Sequence, residues 1–221
     1  MNSVSKNIRL FSQNQSGSAL LMVFMAMAAI AILTAVFFKQ LETAPTFTNT
    51  LENKAKADQI ISHAAALEAA FDIMVVDGVD PSNIEDTTPS EAGFDTSPHL
   101  QKLYHPQGGG APYHNEFHGW QTILIHTNAR ITDVGTASDD IMAVGVIETE
   151  ALCQQINKKL YGDETIPVVT DSVFDDVEDG TSTALLDDST SCSSGCDGKA
   201  RGCLENTSGD TYLFYNVLYA Q

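Results

Sequence analysis

Residues 18–38 read SALLMVFMAMAAIAILTAVFF, twenty-one positions without a charged side chain. At a helical rise of ~1.5 Å per residue such a run spans the ~30 Å hydrocarbon core of a bilayer. A surface helix of a soluble protein would show a polar stripe, and this run has none. The preceding stretch, MNSVSKNIRLFSQNQSG, holds Lys6 and Arg9 and no acid. The positive-inside rule keeps that side cytoplasmic and sends the remainder outward. A cleaved secretory signal has an apolar region of roughly 7–15 residues followed by a small-residue site. This run is longer and ends in Phe37-Phe38-Lys39. A plain signal anchor satisfies the same physics.

Gly17 adds a distinguishing feature, because it closes the basic leader and SALLMVFMAMAAIAIL follows at once. A short hydrophilic leader ending in glycine before such a helix resembles the class III signal of type IV pilins and pseudopilins. The resemblance implies that a prepilin peptidase cuts after Gly17, on the cytoplasmic side, and that the amino group of Ser18 is then N-methylated. Glycine suits a scissile position because its backbone extends without side-chain hindrance. Most pilins carry glutamate at the fifth mature position, where this chain has Met22. Minor members that sit at a filament tip lack that acid, so the resemblance implies a minor subunit. It also implies a division into a leader (1–17), a transmembrane helix (18–38), an exposed continuation helix (39–75) and an exported α+β domain (76–221).

Eleven basic and twenty-nine acidic side chains leave a net charge of −18. Such a surface excludes nucleic acid as a partner, since phosphates need basic groups. Beyond the apolar run, Pro45 and several threonines predict a bend or break, and a second helix starts near Leu51. Ile60, Ala64, Leu67, Phe71 and Met74 recur at three- and four-residue spacing, while Glu52, Lys54, Asp58, Glu68 and Asp72 face elsewhere. An amphipathic helix on a sheet follows. Residues 77–112 are rich in Gly, Pro, Asp, Ser and Thr and read as a long connection. Strands are expected at 120–127, 130–134, Asp140–Ile147 and 211–220, with a helix over 150–160 capped by Thr149 and ending near Gly162. Residues 163–188, dense in acids and poor in basic residues, read as a solvated loop or a partly disordered segment. The fold class is α+β: a long N-terminal transmembrane and amphipathic helix packed on an antiparallel β-sheet, with a disulfide-bonded C-terminal region.

Cys153, Cys192, Cys196 and Cys203 are an even set in a segment expected outside the cytoplasm, where disulfides are favoured. Four cysteines permit three connectivities. The expectation is Cys196 with Cys203 across the glycine-containing loop, and Cys153 with Cys192. Spacings of C-x3-C and C-x6-C match zinc sites poorly. His105, His114 and His118 lie near a GGGAPYHNEFH stretch without H-E-x-x-H spacing, and read as surface-loop histidines. Gly108–Gly110 reads as a flexible turn, not a phosphate loop. Asp171, Asp175, Asp176, Glu178 and Asp179 are weak calcium candidates by their hard oxygen donors, although Val177 interrupts any EF-hand pattern. No cofactor is assigned beyond this, and no catalytic motif is present.

The resemblance thus implies a non-enzymatic filament subunit of a type IV pilus or type II secretion-like pseudopilus. Its partners would be other pilin or pseudopilin subunits, prepilin peptidase and the inner membrane. It would cross that membrane once, N-terminus cytoplasmic, with the C-terminal domain periplasmic or in an extracellular filament. Alanines at 19, 26, 28, 29, 31 and 35 would allow close helix packing. The alternative is a single-pass, membrane-anchored periplasmic binding module that does not polymerise.

Overall fold

The computed structural model describes residues 44–114, 120–193 and 195–221, together with Met27 and Ile30. By internal contacts the chain divides into Met1–Asn49 and Thr50–Gln221. The leader at 1–17 lies outside the described residues. So does the span at 18–38, apart from Met27 and Ile30, which are helical and exposed.

Helix α1 runs over Ala44–Val76. Pro45 falls in its first turn, where the missing N–H costs nothing, so the helix begins ahead of Leu51, near which it was expected; residues 39–43, part of the stretch where a bend or break is expected, lie outside the described residues. Ala57, Ile60, Ala64, Leu67, Phe71 and Met74 are all buried at alternating three- and four-residue steps, as the apolar stripe predicts. Among the described residues, Asn49–Val76 is long and apolar enough to cross a membrane by length and composition. A core helix passes the same test, and this one buries its stripe in a shared cluster with sheet residues. At its end Gly78 adopts φ +90°, while Gly78 N–H and Val79 N–H donate to the carbonyls of Val75 and Met74. Left-handed glycine closes the last turn without a Cβ penalty.

The connection that follows contains two short 3-10 turns, Pro81–Asn83 and His99–Gln101. Its order comes from a buried cation. The ammonium of Lys102, which is almost fully buried, donates to the carbonyls of Gly93, Phe94 and Thr96. A buried charge is tolerated only when it is so bonded. Leu103, Tyr104 and Ala111 then join the α1 cluster. Gly108 and Gly109 lie in a turn, as expected, but a close-packed one. A Cβ on them would lie 2.2 Å from the Lys102 carbonyl oxygen and 2.5 Å from that of Leu103.

Among the described residues the sheet has the strands β1 (Trp120–Ile131), β2 (Asp140–Ile147), β3 (Val168–Val169), β4 (Ala184–Leu186), β5 (Arg201–Asn206) and β6 (Tyr212–Tyr219), in the order β3-β5-β6-β2-β1-β4. The four central strands pair antiparallel, whereas β3 on β5 and β4 on β1 are parallel, so the sheet is mixed and not antiparallel throughout. The strands expected at 120–127 and 130–134 are one strand. Register shifts after Gln121 and after His126 absorb the break as bulges. Helix α2, Glu150–Tyr161, has Thr149 as its N-cap, accepting from Leu152 N–H at 3.3 Å, and left-handed Gly162 at its C-terminus.

Alternation along β2 and β6 gives the sheet two buried faces. Ile141, Ala143, Tyr212, Phe214 and Leu218 pack with α1 and with Leu152 and Ile156 of α2. Met142, Val144, Leu213, Tyr215 and Val217 form a second core on the other side. That second core corrects the reading of 163–188 as a solvated loop. Within it Asp171–Asp179 is a helix, α3, and Phe174 and Val177 bury their side chains against the sheet. Their three-residue spacing is a minimal amphipathic signal, diluted by five acids.

Candidate functional site

α1 carries one polar residue in its buried stripe, His63, 4% exposed. Beside it the end of the long connection brings in His114, whose ring centroid lies 5.5 Å from that of His63 at an interplanar angle of 65°. The two rings stand in an open cleft of about 320 Å³ lined by Asp58, Gln59, Ser62, His63, Ala66, Pro112 and His114. Gln59 and His63 are one helical turn apart and share a face. Asp58 at the rim is ion-paired to Lys159 of α2. Burial, with the His114 ring nearby as a second cause, pushes His63 down to about 4. At neutral pH it is therefore an uncharged imidazole, with a lone pair on one ring nitrogen.

The sequence-level candidates distribute differently. Gly17, Ser18 and His118 lie outside the described residues. His105 is not a surface histidine. It is 9% exposed, stacked on His99 at 4.4 Å and tilted against Phe94 at 5.0 Å, and its Nδ1 accepts from Gln107 N–H. His114 is exposed, as expected of a loop histidine, but it faces His63 across the cleft. His63 itself was not singled out, although a histidine inside an apolar stripe was a readable signal.

Asp171, Asp175, Asp176, Glu178 and Asp179 are spread around α3 instead of converging from a loop. Asp171 accepts from Ser208 N–H at 3.3 Å and from its hydroxyl at 3.2 Å, and Asp179 accepts from Thr181 N–H and Oγ1, both at 2.8 Å. Those carboxylates organise turns. Burial, and then Asp175 and Asp179, raise Glu178. Among the described residues, Asp188, Cys192 and Cys196 bring metal-type donor atoms within 4.8 Å of one another. Both sulfurs there are consumed by a disulfide, and Asp188 accepts from Cys196 N–H at 2.6 Å.

The cysteines pair as Cys153–Cys203 and Cys192–Cys196, not as expected. The sheet supplies the reason. Cys203 on β5 and Cys153 on α2 lie in the core on the α1 side, with Cα atoms 5.4 Å apart. Cys192 and Cys196 lie in the core on the α3 side. The expected partners would have had to meet through the sheet. Comparison of the chain with protein-family models, with curated proteins and with solved structures finds no match.

Proposed function

We propose that this chain is a minor subunit of a type IV pilus or type II secretion-like pseudopilus, with no enzymatic activity of its own. The observation that carries the reading is the juxtaposition at Gly17: a basic leader without acids, a glycine, then twenty-one uncharged residues. Residues 18–38 anchor it in the inner membrane, and assembly proceeds by packing of that helix with those of other subunits. The part beyond lies in the periplasm or the filament. Two features lend support to this topology. The long helix α1 seats an apolar stripe on a sheet, and the cysteines are bridged, which is the favoured state outside the cytoplasm.

Met22 sets the role within the filament. A subunit without an acid there offers no partner for a neighbour's N-terminal amine, and an unpaired charge in hydrocarbon is expensive. The chain therefore serves at a tip or in initiation, alongside acid-bearing subunits. Intact-mass measurement of the protein from its native membrane is the test. A chain beginning at methylated Ser18 is expected. An uncut Met1 terminus would sink the filament reading and leave the anchored binding module.

A further inference from the structure

The cleft beside α1 has a use that the filament reading does not supply. We propose that His63 and His114 are the two protein ligands of a divalent transition-metal site, of the Zn²⁺ and Cu²⁺ class, open to solvent on its remaining positions. The geometry is the first argument. With Zn–N bonds of about 2.0–2.1 Å, two imidazoles on one tetrahedral ion place their ring centres about 5 Å apart. The observed separation is 5.5 Å, in an edge-on arrangement that leaves the rings non-parallel. Turning the exposed His114 ring, with His63 held on the packed helix, would close the difference.

Chemistry is the second argument. Nitrogen donors select borderline first-row ions over Ca²⁺ and Mg²⁺, which want oxygen. Gln59 and Ser62 line the same cleft. The net charge of −18 concentrates cations around the molecule. Rigidity is the third argument. His63 sits on a helix that is packed on the sheet, with Ile60, Ala64 and Leu67 fully buried around it, so one ligand is pre-positioned. The other approaches from the connection, whose closing residues are pinned by Ala111 N–H on the Leu103 carbonyl.

The test is calorimetric titration of the full chain in detergent micelles with Zn²⁺, repeated with Ca²⁺. Electron paramagnetic resonance of the Cu²⁺ form accompanies it. One saturable Zn²⁺ equivalent is expected, with no comparable Ca²⁺ uptake, and two imidazole nitrogens on Cu²⁺. His114→Ala, at an exposed position, should keep the metal-free melting temperature while weakening Zn²⁺ on the order of tenfold or more. The Cu²⁺ spectrum should fall to one imidazole. Unchanged affinity in His114→Ala would place the ion elsewhere and overturn the proposal, as would the absence of saturable Zn²⁺ binding. His63→Gln should give the same loss. If that variant fails to fold, His114→Ala decides the matter alone.

Discussion

The side-chain amide of Asn157 on α2 grips the backbone of Cys203 on β5 from both sides: Nδ2 donates to the Cys203 carbonyl and Oδ1 accepts from Cys203 N–H, each at 2.9 Å. Asn157 thereby imitates a neighbouring strand where β3 does not extend, since β3 pairs with β5 only at Glu205 and Asn206. The same Nδ2 reaches the Thr165 carbonyl at 3.0 Å. Asn157→Ala leaves buried backbone groups unpaired and should cost about 2–4 kcal/mol. Asn157→Asp should be no better, because its carboxylate would face two carbonyl oxygens. Urea unfolding measures both. A change below about 0.5 kcal/mol in Asn157→Ala would mean that water replaces the amide.

The two disulfides differ in what they restrain. Cys153–Cys203 joins residues 50 apart, and Cys192–Cys196 residues 4 apart. On the chain-entropy model their removal costs about 4 and about 2 kcal/mol respectively. The double variant Cys153→Ala/Cys203→Ala should therefore unfold at clearly lower urea than Cys192→Ala/Cys196→Ala. Equal midpoints would contradict the ranking.

Gly180 caps α3 at φ +64°, and a Cβ there would lie 2.7 Å from both Cβ and Cγ of His126. Gly180→Ala meets a left-handed backbone penalty and a clash together, and is expected to cost about 2–4 kcal/mol. Gly162 has a similar φ of +78° but open space around it. Gly162→Ala should therefore cost only about 1–2 kcal/mol. Thermal melts of the pair separate sterics from backbone strain, and identical shifts would remove the clash from the account.

His126 is buried, with Nε2 at 2.8 Å from the Val177 carbonyl and Nδ1 accepting from Asn128 N–H at 3.4 Å. Nδ1 as acceptor leaves Nε2–H as the donor. Burial lowers its pKa from the ordinary 6.5, against smaller opposing effects of the Val177 carbonyl and Asp179. The folded value is the lower one, so the unfolded chain takes up the proton first as pH falls. The stability contribution is thus complete above about 6.5 and declines below it. Melting temperature should drop between pH 7 and pH 5, and His126→Gln should show a smaller drop. Parallel curves for the two proteins would exclude His126 as a contributor.

Much of the domain was legible because its signals are local. The 3–4 spacing from Ile60 to Met74, Thr149 and Gly162 around α2, and the aromatic run that became β6 each state their own structure. α3 was not legible, since two buried side chains among acids look like solvated sequence until a second core receives them. β3, β4 and β5 were missed for a related reason: they are short, and their place depends on partners far away in the chain. The cysteine pairing failed because sequence distance ignores which face of a strand a residue occupies. Of the cleft, His114 reads in the sequence as a plain loop histidine, and the apolar stripe around His63 hides the other ring.

The strands at the two margins of the sheet, β3 and β4, are only two and three residues long, and the Asp86 carboxylate takes up the Ile125 N–H of β1 at 3.2 Å. Margin strands this short, with side chains of Asp86 and Asn157 taking up backbone groups of β1 and β5 beside them, offer little length for strand addition. Copies of the domain at high local density would thus resist fusing into amyloid-like ribbons. Cohesion between them would fall to side-chain surfaces and helices, contacts that can be undone without unravelling a fold.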